Sequence, residues 1–191
     1  IWLGTANGLQ RFDGRKLIMF RPPAEAGDYL PSTPIYQAFQ DVHNNFWVRS
    51  ELEVVIFDPV TFRYKKAAIR PTVEIPPRSE YLLWHDSKGN IFLIITKGEV
   101  LVYDSVTNSF RQNMDVIKVP PGRGVTQLLE EPGTGNYWIG TDSGMAVYDV
   151  RTKEVYYNRY NPKNHPVLSS SYFQDPVTVS FIDQQRRFWG A

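Results

Sequence analysis

The feature that most restricts what this chain can fold into is a beat kept by two landmarks at once. Trp2, Trp47, Phe92, Trp138 and Trp189 lie 45, 45, 46 and 51 residues apart. Phe12-Asp13, Phe57-Asp58, Tyr103-Asp104 and Tyr148-Asp149 follow the first four of them by 10, 10, 11 and 10 residues. One landmark recurs by chance, but two that stay in phase define a repeat. Self-similarity at forty-odd residues marks a stacked array, in which each unit buries a face that it cannot bury alone.

Within one period the pattern is that of four short strands. In the second unit Ile35 to Gln40 is an apolar-rich run, and Asp41-Val42-His43-Asn44-Asn45 supplies turn chemistry through short polar side chains. Phe46-Trp47-Val48 predicts a second strand, Val54 to Phe57 a third, and Phe62-Arg63-Tyr64 a fourth after the turn Asp58-Pro59-Val60-Thr61. Asp104-Ser105-Val106-Thr107 and Asp149-Val150-Arg151-Thr152 repeat that turn, where the Asp accepts a backbone N–H two residues on and has a structural role. Aromatic residues make up 14% of the chain, with 13 Gly and 14 Pro, and good helix-forming stretches are scarce. The predicted class is all-β: β-propeller blades of four antiparallel strands, about 45 residues each. Partial blades are expected over 1–33 and 175–191, and whole ones over 34–78, 79–123 and 124–174. The half-units either close a small four-bladed ring or belong to a larger propeller of the seven-bladed type, and the exposed edges that a lone slice would carry favour the larger ring. The Trp column is expected to pack between blades.

Charge and composition exclude several functions. With 21 basic and 20 acidic residues the formal charge is +1, which gives no reason to expect nucleic acid or an anionic membrane. No apolar run approaches the roughly eighteen residues of a membrane span, so no direct membrane insertion by this segment is expected. The absence of Cys removes disulfides, thiolate metal sites and a cysteine nucleophile. His43, His85 and His165 are far apart and no zinc or calcium motif is present, so neither a metal nor another cofactor is expected.

The stretch Ile1-Trp2-Leu3-Gly4-Thr5-Ala6-Asn7-Gly8-Leu9-Gln10-Arg11-Phe12-Asp13-Gly14 resembles the repeat of two-component regulator propellers, and Tyr137 to Asp149 resembles it again. Asp86 to Phe92 and Asp183 to Trp189 match that family's turn before the second strand. The resemblance implies the periplasmic sensor region of a Bacteroides-type hybrid sensor histidine kinase and response regulator. It further implies adjacent propeller and sandwich domains, an anchor in the inner membrane, and the sensing of polysaccharide breakdown products. No phosphoacceptor pattern or nucleotide-binding loop lies in the chain, so any kinase chemistry is carried elsewhere and the chain itself is not expected to be an enzyme. The second unit departs from the pattern: Arg49-Ser50-Glu51-Leu52-Glu53 stands where the family has Gly-Thr and a later Gly. The third has Phe92 for Trp and Ile94-Ile95-Thr96, with Lys97-Gly98-Glu99 at the turn.

Propellers bind at loops joining the second strand to the third and one blade to the next. An oligosaccharide or other small polar ligand calls for aromatic faces beside hydrogen-bonding groups. The candidate ligand-binding residues are Arg49, Glu51, Glu53, Arg78, Lys97, Arg123 and Asp142, with Tyr29 and Tyr172 as aromatic surfaces; Tyr36, Trp84 and Phe173 lie in or beside the same segments. For Arg49 and Glu51 a mutual surface ion pair is the structural alternative, and for Tyr36 and Trp84 burial. Two rival functions remain open. One is a propeller lyase or glycosidase acting through Glu53 and Asp142; the other is an architectural propeller that forms a homodimer.

Overall fold

A computed structural model of the chain describes residues 1–19, 33–50, 53–72, 74, 80–95, 99–177 and 180–190. Their strands are β1 (Trp2–Thr5), β2 (Gly8–Phe12), β3 (Leu17–Met19), β4 (Ile35–Gln40), β5 (Phe46–Ser50), β6 (Val54–Phe57), β7 (Tyr64–Lys66), β8 (Ala68–Arg70) and β9 (Tyr81–His85). There follow β10 (Ile91–Ile95), β11 (Val100–Asp104), β12 (Ser109–Arg111), β13 (Val125–Glu130), β14 (Tyr137–Thr141), β15 (Gly144–Asp149), β16 (Glu154–Tyr157), β17 (Ser180–Ile182) and β18 (Phe188–Gly190). One helical turn, α1 (Pro166–Ser169), and a 3-10 turn at Ser171–Phe173 interrupt the last stretch. The protein is all-β, and no helix among the described residues is long and apolar enough to cross a membrane. It divides into two compact units, residues 1–69 with 105–109, and residues 70–104 with 110–191.

In the first unit β1-β2-β3 form one antiparallel sheet and β4-β5-β6-β7 another, each in chain order. Leu9, Ile35, Val48, Val55 and Phe57 are its buried centre. Trp2 closes that centre from the side, with its ring centroid 5.5 Å from those of Phe46 and Phe57. The fourth strand of this repeat begins at Tyr64, later than the Phe62 that the sequence suggests. Phe62 ends the Asp58 turn instead, with φ 61 and its N–H donating to the Asp58 carbonyl at 2.8 Å. Asn108 (φ 49) and Lys153 (φ 57) fill the same left-handed position in the next two repeats, so the turn geometry outranks the β-propensity of Phe62.

In the second unit β9, β10, β11 and β12 are hydrogen-bonded in that order, β13-β14-β15-β16 form a four-stranded antiparallel sheet, and β17-β18 a pair. Every residue of β14 and β15 is buried. Their side chains alternate between two cores, as a strand's period of two dictates. Tyr137, Ile139, Ala146 and Tyr148 pack with Phe92, Ile94 and Val102 of the preceding repeat, while Trp138, Met145 and Val147 pack with Leu168, Val177 and Ile182 of the following segment. This explains why these strands read as unbroken apolar runs rather than as amphipathic ones.

Candidate functional site

The end of the β14–β15 hairpin shows what the Gly-Thr-x-x-Gly pattern does. The Thr141 hydroxyl donates to the Gly144 carbonyl at 2.6 Å and accepts from the Ser143 N–H at 3.2 Å, which latches the turn. The two glycines leave room for another stretch of chain. A Cβ on Gly144, at φ +99, would stand 2.3 Å from the Phe173 carbonyl oxygen, and one on Gly140 would stand 3.1 Å from that of Val177. Val177 is tied down on both sides: its N–H donates to the Thr141 carbonyl at 3.2 Å and its carbonyl accepts from the Thr126 hydroxyl at 2.5 Å. Gly4 serves in the same way in the first repeat, where a Cβ would meet the Ile35 carbonyl oxygen at 3.0 Å, and Thr5 donates to the Gly8 carbonyl at 2.8 Å.

Segment 161–177 therefore lies against this hairpin and builds a rim with it. Arg123 donates to the Ser143 carbonyl at 2.8 Å and to Asn158 Oδ1 at 2.6 Å, and its guanidinium lies 4.8 Å from the Tyr157 ring centroid. Asp142 accepts from the Gly124 N–H at 3.1 Å and from the Ser143 hydroxyl at 3.0 Å. Arg123 and Asp142, far apart in sequence, thus meet at one loop cluster, where they brace loops as well as lining them. Tyr172, on the 3-10 turn whose Ser170 hydroxyl accepts its N–H at 3.3 Å, is 90% exposed. Its neighbour Phe173 anchors the turn, packing edge-on against Phe188 at 5.1 Å. An exposed aromatic side chain on an anchored turn beside braced polar loops is suited to recognition, because the backbone that carries it is already ordered.

Below this rim Lys163 donates to Asp149 Oδ2 at 2.6 Å, and its ammonium lies 4.7 Å from the Tyr156 ring centroid. Burial works to raise the Asp149 carboxyl, but Lys163 and the Thr152 and Arg151 N–H groups outweigh it and hold the group at about 2. The Asp at this turn is structural, as the spacing suggests. Asp13 accepts from Arg15 and Asp58 from Val60, both at 2.8 Å.

In the first unit Arg49 replaces the first glycine of the pattern. Its Nε donates to Gln37 Oε1 at 2.9 Å and its guanidinium lies 4.8 Å from the Tyr36 ring centroid. Tyr36 sits where the β4–β5 register shifts by one residue, and it is 55% exposed, so burial is not its role. Glu53 pairs with Lys66 at 3.0 Å. Trp84, by contrast, packs against Phe92 and Tyr137 in the other unit. Tyr29, Glu51, Arg78 and Lys97 lie outside the described residues.

A set of carboxylate clasps went unread in the sequence. Asp41 accepts the His43 and Asn45 N–H groups on Oδ1, and the Asn45 amide and the Trp47 indole N–H, the latter at 2.8 Å, on Oδ2. Asp183 likewise takes the Trp189 indole N–H, at 3.2 Å. The Phe92 side chain has no N–H to offer, and there the Tyr137 hydroxyl of the next repeat donates to Asp86 Oδ2 at 2.6 Å. Burial and the Asp86 carboxylate together hold the Tyr137 hydroxyl well above its ordinary range. The available signal was an Asp six residues before the aromatic landmark, at Asp41, Asp86 and Asp183. Among the described residues no cluster of three or more metal-ligating side chains occurs.

No family model matches the chain, and no curated protein matches it. Solved structures do. The extracellular domain of BT4673, described as a one-component and as a hybrid two-component system of B. thetaiotaomicron, superposes in two structures with TM-scores of 0.67 and 0.66, at 19% and 21% identity over 99% of this chain. The extracellular domain of the hybrid two-component system BT3049 of the same organism gives 0.64 at 16% identity over 100% of the chain. PorZ, a surface component of the type-IX secretion system of Porphyromonas gingivalis, gives 0.61 at 16% identity, again over 100% of the chain. The chain covers 26%, 24%, 24% and 29% of those structures, respectively, so it spans about a quarter of each. Identities this low speak for a shared fold, and a fold shared by sensors and a secretion component leaves function to be argued from the surface.

Proposed function

We infer that this chain is a stretch of a larger β-propeller, of the seven-bladed type, in the periplasmic sensor region of a hybrid two-component receptor. There it recognises an oligosaccharide-type ligand or a partner domain and hands the event to a kinase carried elsewhere in the polypeptide. The repeat resemblance and the likeness in fold to the BT4673 and BT3049 extracellular domains support the receptor class. The observation that carries recognition is Tyr172, 90% exposed on a turn held by Phe173 and Ser170 beside the Arg123–Asp142 loops. The enzymatic reading has less support, since Glu53 is engaged by Lys66 and both oxygens of Asp142 accept hydrogen bonds within their own loop cluster. Calorimetry of the complete sensor ectodomain against plant and host oligosaccharides tests the proposal. Binding that weakens about tenfold or more in Tyr172→Ala, the loss of one well-packed stacking contact, is the expected result. Uniformly absent binding would overturn direct sugar sensing.

A further inference from the structure

The repeat slips by one residue at a single described turn, and a pocket lies there. From the clasping carboxylate to the partner that closes the turn there are four residues in Asp41–Asn45, Asp86–Asn90 and Asp183–Arg187, but five in Glu131–Asn136. The longer Glu side chain spans the longer turn. Its Oε2 accepts from the Thr134 hydroxyl at 2.6 Å and the Asn136 amide at 3.4 Å, and its Oε1 from Arg186 at 2.6 Å. The enlarged loop leans on two left-handed glycines, Gly133 (φ 82) and Gly135 (φ 69). Between it and the β9–β10 turn of the preceding repeat opens a cavity of about 510 Å³, within the roughly 300–1,000 Å³ range of small-molecule sites.

One wall of this cavity is tied down before anything binds. Ser87 grips Glu130 with its N–H and its hydroxyl, both at 2.7 Å, which ties one turn to the next. Each Glu130 oxygen keeps acceptor capacity after that contact. Lys88 brings its ammonium to 3.2 Å from where a Cβ of Gly135 would stand, and among the described residues that ammonium has no hydrogen-bond or ion-pair partner. A free anion would be attracted by Lys88 and repelled by Glu130, and a free cation the reverse. A ligand that offers an acceptor and a donor on adjacent atoms satisfies both, and vicinal hydroxyls do so.

We propose that this pocket is a saccharide subsite, in which paired hydroxyls of a neutral mono- or disaccharide accept from the Lys88 ammonium and donate to the Glu130 carboxylate. It lies at the end of β14 remote from the Tyr172 rim, five residues or roughly 15 Å away. It shares a ligand chemistry with the function proposed above, but it needs none of the rim residues. The full chain is titrated by NMR with neutral mono- and disaccharides, with uronates and amino acids as charged and zwitterionic controls. The expected result is a preference for the neutral sugars that moves the Ser87 and Gly135 amide signals. Lys88→Met should weaken that binding, followed at the Ser87 and Gly135 signals, about tenfold or more, the loss typical of a charge-assisted hydrogen bond. Binding that survives Lys88→Met and disappears in Tyr172→Ala would overturn the pocket while sparing the rim. Failure of every neutral sugar, or a preference for the controls, would overturn it as well.

Discussion

The loop from Gly140 to Gly144 and the loop from Arg49 to Glu53 occupy the same place in their repeats, and they use it differently. Both are latched by a hydroxyl that reaches across the turn, Thr141 to the Gly144 carbonyl at 2.6 Å and Ser50 to the Glu53 carbonyl at 3.3 Å. The latch therefore does not depend on glycine. Around Gly140 and Gly144 the missing side chains make room for residues 173–177, whereas Arg49 and Glu53 fill their positions with charge, one laid on Tyr36 and the other paired with Lys66. The glycines of the pattern serve the neighbouring segment, and the hydroxyl serves the turn.

Exchanging these roles gives the largest expected effect. Gly144→Ala forces a Cβ into the Phe173 carbonyl at a positive φ and should cost about 2–4 kcal/mol, while Glu53→Ala should cost at most about 1 kcal/mol. Urea unfolding of both variants measures this, and equal losses would break the comparison. The latches come next. Thr141→Val removes a buried hydroxyl and should cost about 1–2 kcal/mol, against roughly 0.5–1 kcal/mol for Ser50→Ala with its longer contact, as read from the same unfolding curves.

Acid acts on the turn that follows in both repeats, since hydrogen bonds from Thr61 and Val60 lower the Asp58 carboxyl too, but only Asp149 adds an ammonium partner, Lys163. Asp149 is held at about 2 against an ordinary 3.8, so the stability it contributes is complete above pH 3.8 and is lost as pH falls toward 2. Lys163→Met should shrink that loss, and stability measured between pH 5 and 2 in wild type and variant checks it; parallel curves would remove Lys163 from the account. The smallest effect is that of Glu53→Gln. Its partner Lys66 is 63% exposed, so the change should cost under about 1 kcal/mol and less still in high salt.

Strand order, the Asp turns and the burial of Trp47 and Trp138 were legible in the chain, because each follows from spacing or from residue type within one repeat; of the same column Trp2 is only half-buried and Trp189 is 55% exposed. What escaped was contact between repeats. The Tyr137–Asp86 bond joins residues 51 apart and the Arg186–Glu131 bond residues 55 apart, and no local pattern announces either. The sequence nominated Arg123 and Asp142 as ligand contacts but could not foresee that both brace loops, since their partners are backbone groups and a side chain of neighbouring segments. Tyr36 was harder to read, since its place in an inner strand suggested burial, whereas β4 alternates from buried Ile35 and puts Tyr36 on the exposed face.

The Tyr137 hydroxyl has a consequence for how the protein is made. Asp41 and Asp183 complete their turns with an indole six residues downstream, whereas Asp86 waits for a donor in the next repeat. During synthesis, then, the third repeat emerges with its carboxylate only partly satisfied, and it stays so until β14 has left the ribosome and folded against it. Coupling between neighbours in a repeat array is usually spread over a whole interface. Here part of it is concentrated in one hydroxyl, which makes the junction between the third and fourth repeats a place where folding of one is conditional on the other.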